Sequence, residues 1–485
     1  MRSRLFVFLA LTYVATLGGH VYSGDELMMA RVTEAVVTRG ELSVRPIEHF
    51  EDYATVEGQD GRTYTWYGVG LPIAAIPFYL AGMALEEVVP DSAVQAFSAP
   101  KVLYYDRDNK TEVVRMFALT FTNPLVTALT VVLLFNVLVM LGIERRAAAI
   151  SGVVFGLTGV TWFYAKTFFS EPLSALLLLL SLYAWLAMRR GQKARWAFAA
   201  GLFAGMSCLA RVANGIVLLP LSLLFLAERL AQRDVRKVLW AALGVAMPLA
   251  LLGALNWLRF GHPFETGYWP KAPSFDNDPV EGLIGLSLSP GRGFVWYFPW
   301  VLLAAPGIAI LARRDLWTAA YCGLAFVALW GLYAFWPQWD GGWVFGPRFL
   351  VPVFPLMAIP ATLFVSEYWH QTIVKVLFAV LAFFCFALAL HAVSVNFLDY
   401  HFAMWRSVPS IEQAMRWSWE WSPLCRYWDF PVRTFLIMPR LALGDGGLAL
   451  AILAWAVFLG LAASLWAFVS ALARPLDGEV ECRSE

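Results

Sequence analysis

Charge is scarce in this sequence. Only 15% of its 485 residues are Asp, Glu, Lys or Arg, and the two signs nearly cancel to a formal net charge of +1 at pH 7. A nucleic-acid binder needs a clear basic excess to meet phosphates, so nucleic acid is excluded as the main partner. Cysteine is scarce as well. Cys208, Cys322, Cys385, Cys425 and Cys482 show no C-x-x-C spacing, which excludes a zinc knuckle and a disulfide framework. No His/Asp cluster calls for a metal, so no cofactor is required, and a divalent metal is permitted without being indicated. What the chain has in excess is apolar surface: 60% of residues are hydrophobic and the mean hydropathy is +0.63. These values place it in the membrane class, with membrane lipids as its surroundings. The 22 tryptophans suit interface belts and equally the lining of a sugar site.

A membrane span needs roughly 20 mostly apolar residues. Twelve stretches qualify: 4–22, 114–141, 147–165, 172–188, 196–210, 212–228, 238–257, 294–312, 316–335, 349–366, 373–395 and 447–470. The fold class expected is therefore an all-α polytopic membrane protein with about 12 transmembrane helices. The first stretch follows Arg2 and Arg4 and reads as an uncleaved anchor rather than a signal peptide, because no small-x-small cleavage site follows it.

One further segment, "WYGVGLPIAAIPFYLAGMAL" (66–85), is apolar but broken by Gly68, Gly70, Pro72 and Pro77. If it does not span, the basic loops "ERR" (144–146), "RRGQKAR" (189–195), "ERLAQRDVRK" (228–237) and "ARRD" (312–315) all share the cytoplasmic side with Arg2 and Arg4. If it spans, all of them flip outward. The positive-inside bias thus favours a re-entrant or interfacial segment inside a long outer loop, 23–113, that carries juxtamembrane helices. The organisation expected is a transmembrane module over 1–395, an aromatic-rich extracytoplasmic loop over 396–446, and a last span with a short cytoplasmic tail over 447–485.

This orientation gathers the unusual polar residues on the outer face. "SGDELMMARVTEAVVTRG" (23–40) places Asp25 and Glu26 at the head of a segment whose apolar residues Leu27, Ala30, Val32, Ala35 and Val36 recur at helical spacing. Two readings fit the acids. Ser23 or Asp25 caps the helix and the acids suit its positive end, or Asp25 is a general base held at the membrane edge. "KTFFSEP" puts Lys166 and Glu171 around a turn between spans, either reaching water at span ends or lining a shared cavity. Arg211 interrupts the apolar run 196–228, where a charge near hydrocarbon is costly and points to function, although a simple turn also fits. Arg292, between two glycines in "SPGRG", fits an anion cradle or an ordinary turn. "WPQWDGGWVFGPRFL" (336–350) joins Asp340 to Arg348 beside three tryptophans, and an aromatic belt explains the tryptophans but not the two charges. A cationic set beside a carboxylate suits a phosphorylated leaving group and a base that activates a hydroxyl.

With the acidic pair after the first span, the following juxtamembrane helix, the short outer "KTFFSEP" and "ARVANG" turns and the dozen spans, the sequence resembles the membrane glycosyltransferases of the GT-C superfamily. The similar branch is the bacterial one grouped with protein O-mannosyltransferases and aminoarabinose transferases, and the resemblance covers nearly the whole chain. It implies a hexosyl- or pentosyltransferase of the cell envelope that takes a polyprenyl-phosphate-linked sugar donor at the extracytoplasmic face of the plasma (inner) membrane. The sugar passes, with inversion, to a hydroxyl of a protein, lipid or glycan acceptor. On this resemblance Asp25 is the base, with Glu26 as its support or its substitute. Lys166 and Arg211 line the donor cavity, and Arg292 and Arg348 join them on the lipid phosphate through local chemistry. Glu171, Asp340 and Tyr67 face the sugar or the acceptor. A His-Pro-Pro or Lys-Pro-Pro element is replaced here by "TYTWYGVGLP", which removes a basic residue expected near the donor. The competing readings are a lipid or sugar transporter, for which a carrier's mid-span polar breaks and inverted repeats are missing, and a non-catalytic relative.

Overall fold

The computed structural model describes residues 1–47, 51–91, 94–97, 109–191, 193–268, 274–430 and 436–473. The expected tail 474–485, with Cys482, lies outside the described residues, as do parts of the loops 23–113 and 396–446. Eight helices are long and apolar enough to cross a membrane: Lys110–Met140, Glu171–Gly191, Val212–Ala231, Val235–Phe260, Leu316–Ala334, Arg348–Glu367, Thr372–Ser394 and Leu448–Ala473. The chain is a multi-pass, all-α membrane protein. Four of the twelve expected spans form helices too short to be counted with these eight. Helix α1 covers Arg2–Ala15 and stops before the Gly18-Gly19 pair. The 147–165 stretch divides at Gly159 into Arg145–Leu157 and Val160–Ala165. The other two become Ala194–Ala210 and Trp300–Arg314, the latter starting only after Pro299. Hydropathy registers apolar length without the turns inside it, which shortens the first, third and eighth stretches, whereas Ala194–Ala210 is an unbroken helix of 17 residues.

Helix α2 (Gly24–Arg39) forms as its pattern demands. Ser23 is its N-cap and Glu26 closes a capping box, while Gly40 ends it in the left-handed conformation. The cap is thus Ser23, which leaves Asp25 uncommitted to the helix end. The segment 66–85 becomes two helices, α3 (Gly70–Ala74) and α4 (Ile76–Val88), neither long enough to cross alone. A short hairpin of β1 (Thr55–Glu57) and β2 (Thr63–Thr65), paired Thr55 to Thr65, precedes them.

Two contacts fix these outer elements over the spans. Gln59, in the hairpin turn, donates from its backbone N–H to the Arg259 carbonyl at 2.9 Å, and the Arg259 guanidinium returns a hydrogen bond to the Thr65 carbonyl at 3.2 Å. The Thr33 hydroxyl donates to the Pro72 carbonyl at 3.1 Å, joining α2 to α3. The loop from Tyr67 to α3 also lies flat on the end of helix Ala194–Ala210. A Cβ on Gly68 would stand 2.5 Å from the Leu209 and Ala210 carbonyl oxygens, and one on Gly70 would stand 2.6 Å from Ala210 N and Cα. Only glycine allows this approach, and the same loop carries Tyr67 to Asp25.

Candidate active site

Four segments converge on one chain of charges. Asp25, on the first turn of α2, accepts a hydrogen bond on Oδ2 from Arg348 Nη1 at 2.8 Å. Arg348 Nε donates at 2.6 Å to Oε1 of Glu171, the first residue of its span. Arg211 Nη1 donates to the same oxygen, and Arg211 Nε donates to the Tyr333 hydroxyl at 2.8 Å. Two acids and two arginines therefore balance in a part-buried site, which removes much of the cost of holding charge there. Aromatic faces hold the guanidinium groups. Arg348 lies 4.0 Å from the centre of the Phe169 ring and Arg211 4.8 Å from that of Phe349, which stacks on Tyr333 at 4.1 Å.

Asp25 takes further hydrogen bonds from the hydroxyls of Tyr53 and Tyr67. Burial alone would raise the pKa of this carboxyl, but the Arg348 charge and the two phenols outweigh burial and hold it below the ordinary carboxylate range. Burial and the neighbouring Asp25 charge push Tyr67 well above an ordinary tyrosine, so its phenol stays a proton donor. The arrangement presents a carboxylate, ionised at neutral pH, at the edge of a cation pair. In that pair Nη2 of Arg211 and of Arg348 holds no hydrogen bond among the described residues.

The other expected site residues lie outside this chain. Glu26 faces the interior, accepting from the backbone N–H groups of Tyr22, of Ser23 at 3.4 Å and of Phe168 at 3.2 Å. Burial raises its pKa to about 7 against the pull of those N–H groups. Lys166 is buried behind it, donating to the Val393 carbonyl at 2.7 Å beneath the Tyr22 ring. Burial lowers its pKa to about 7, with Glu26 opposing. Arg292 is fully buried and spends its donors on the carbonyls of Asp340 (2.9 Å), Gly291 (2.9 Å) and Gly342 (2.8 Å). Asp340 does not pair with Arg348, although the sequence sets them eight residues apart. It accepts from Arg416 Nε and from the Gly342 N–H, at 2.7 Å for the latter. Asp340 and Arg348 stay neighbours through Gly341, where a Cβ would stand 3.3 Å from Arg348 Cβ.

Tyr53, Tyr333, Phe169, Phe349 and Arg416 complete the surroundings, and the sequence pattern does not point to them. Phe169 and Phe349 flank residues that it does mark, but Tyr333 lies in an apolar span and Tyr53 in an ordinary turn, with no pattern to mark them. Among the described residues no three of His, Cys, Asp and Glu gather as metal ligands.

Residues 64–256 match the model of the Alg9-like mannosyltransferase family, a stretch that contains Tyr67, Lys166, Glu171 and Arg211 but neither Asp25 nor Arg348. This is a family of GT-C membrane glycosyltransferases, the superfamily that the motifs resemble, though of another branch than the O-mannosyltransferases. No curated protein matches the chain. Among solved structures it is similar to ArnT from Cupriavidus metallidurans bound to undecaprenyl phosphate, with 16% identity, a TM-score of 0.47, and coverage of 90% of this chain and 77% of that one. The same protein in the apo state matches with 17% identity, a TM-score of 0.44, and coverage of 95% and 75%.

Proposed function

We propose that this protein transfers a sugar from a polyprenyl-phosphate donor to an acceptor hydroxyl at the extracytoplasmic membrane surface, with inversion at the anomeric carbon. The observation that carries the reading is the Asp25–Arg348–Glu171–Arg211 chain, which joins two carboxylates to two arginines, with Asp25 at its end. A sugar joined to phosphate is already activated. The protein has to hold the hydroxyl in line with the anomeric carbon, take its proton and stabilise the departing phosphate.

In this mechanism the acceptor oxygen forms the new bond to the anomeric carbon while the bond from that carbon to the phosphate oxygen breaks. The acceptor proton passes to Asp25, and the electron pair of the broken bond leaves with the lipid phosphate. The free Nη2 groups of Arg211 and Arg348 point to the phosphate as their ligand, since guanidinium groups bind phosphate oxygens through paired hydrogen bonds. Glu171 keeps the two cations in place and faces the sugar, as does Tyr67. Lys166 and Glu26 brace α2 from behind, and Arg292 and Asp340 hold the loop that leads into Arg348. The basic loops between spans remain on the cytoplasmic side with the N-terminus, and the polyprenyl tail stays in lipid while its head enters the site.

Transfer from a panel of radiolabelled polyprenyl-phosphate sugars by the purified protein in lipid tests the reading. Asp25→Asn is expected to lower transfer by about 10²–10⁴-fold while donor binding persists. Turnover retained in that variant would remove Asp25 as the base.

A further inference from the structure

The two oxygens of Asp25 serve different neighbours. Oδ2 is held by Arg348, on the side of the cation pair, and Oδ1 accepts the phenol of Tyr53. A general base must have an oxygen in contact with the hydroxyl it deprotonates, and Oδ1 is the oxygen that the Arg348 hydrogen bond does not occupy. In the resting protein that position already holds a hydroxyl, the one on Tyr53.

Tyr53 is the more exposed of the two phenols on Asp25. The residue is 39% exposed, in the turn that leads into β1. Its ring lies on the first turn of α2, where a Cβ on Gly24 would come within 2.5 Å of a ring carbon, so glycine gives the ring its seat. The next residue, Ala54, has φ 53°, a left-handed conformation that a side chain disfavours. Tyr67, by contrast, rides on a loop packed flat against Ala210 through Gly68 and Gly70. One phenol on Asp25 is thus built into the scaffold, and the other reaches in from the aqueous side.

Resting on the transferase reading, we propose that the Tyr53 phenol is a placeholder for the acceptor hydroxyl. It occupies the acceptor's position on Asp25 Oδ1, keeps water off the base while a donor waits, and is displaced when an acceptor alcohol enters from the aqueous side of α2. Tyr53 touches neither the sugar nor the phosphate in this scheme and acts only through Asp25.

Tyr53→Phe tests this, because it keeps the ring on Gly24 and removes only the hydroxyl. Two measurements apply. Asp25 modification by a water-soluble carbodiimide with an amine nucleophile, mapped by peptide mass spectrometry, is expected to rise several-fold in the variant, and this needs no donor. Release of free sugar from the polyprenyl-phosphate sugar that the wild type uses, with no acceptor added, is expected to rise several-fold as water reaches Oδ1. Labelling and hydrolysis that stay level or fall would show that the phenol orients Asp25 rather than holding a place, and would overturn the proposal. Asp25→Asn separates the two layers. If it hydrolyses donor as fast as wild type, the base assignment falls, whereas the labelling result still decides what occupies Oδ1.

Discussion

Asp25 and Glu26 are chain neighbours with opposite fates, and helical geometry is the reason. Consecutive side chains point about 100° apart around a helix, so one acid reaches Arg348 while the other turns inward to three backbone N–H groups. Asp25 is held below the ordinary carboxylate range, and Glu26 is raised by burial from 4.5 to about 7. Between those two values folded Glu26 keeps a proton that the unfolded chain releases, so its contribution to stability is complete below pH 4.5 and declines as pH rises to about 7. Glu26→Gln keeps an acceptor for the capping box but does not titrate. Across that window the wild type is expected to lose on the order of 3 kcal/mol relative to the variant, read as diverging thermal unfolding midpoints in lipid nanodiscs from pH 4.5 to 8. A difference that stays constant over the window rules the titration out. The sequence names both acids but not which one turns inward, because that depends on what the fold brings to each face.

At the scale of elements, the apolar runs were legible because lipid imposes a long and nearly uninterrupted pattern. The breaks inside them were harder to see: Gly159 divides one run, and Ala75 separates α3 from α4 within another. The orientation gathers the charges on one face, but which of them pair was not legible. Asp25 and Arg348 stand 323 residues apart and meet only because α2 is tied down over the spans. Arg292 and Asp340 show the converse case. Each carries a charge in a glycine-rich outer loop, yet each is consumed in holding loops together, the first on carbonyls and the second on Arg416. Gly68 is the element-level feature on which the geometry turns, since a methyl group there would press on the Leu209 and Ala210 carbonyls and lift the loop that carries Tyr67 to Asp25. Gly68→Ala is expected to cut transfer by about 10²-fold, the order associated with a 1 Å misplacement, with donor affinity falling less than turnover. Steady-state kinetics with the donor found for the wild type measures both quantities, and a variant with normal turnover would sink the claim that this contact positions the site.

For the whole molecule, what matters is which face of the membrane holds the chemistry, and the ion pairs divide along that line. At one end of the spans Arg189 bridges Glu228 and Asp315, and Arg314 meets Glu367, all within or beside the basic loops assigned to the cytoplasm. At the other end lies the chain from Asp25 to Arg211. The cysteines supply a test that needs no substitution in the site. Among the described residues Cys425 is exposed, while Cys208, Cys322 and Cys385 are buried, and an exposed thiol reacts where a buried one does not. Cys425 belongs to the outer loop 396–446 and Cys482 to the tail beyond the last span, so the proposed orientation puts them on opposite sides. A membrane-impermeant maleimide added to intact spheroplasts is expected to label Cys425 and spare Cys482, with Cys482 reacting only after permeabilisation. Cys425→Ser should then abolish labelling from outside. The reverse pattern would place Asp25 and both arginines on the cytoplasmic face, and the extracytoplasmic transferase would have to be abandoned even if every contact within the site were correct.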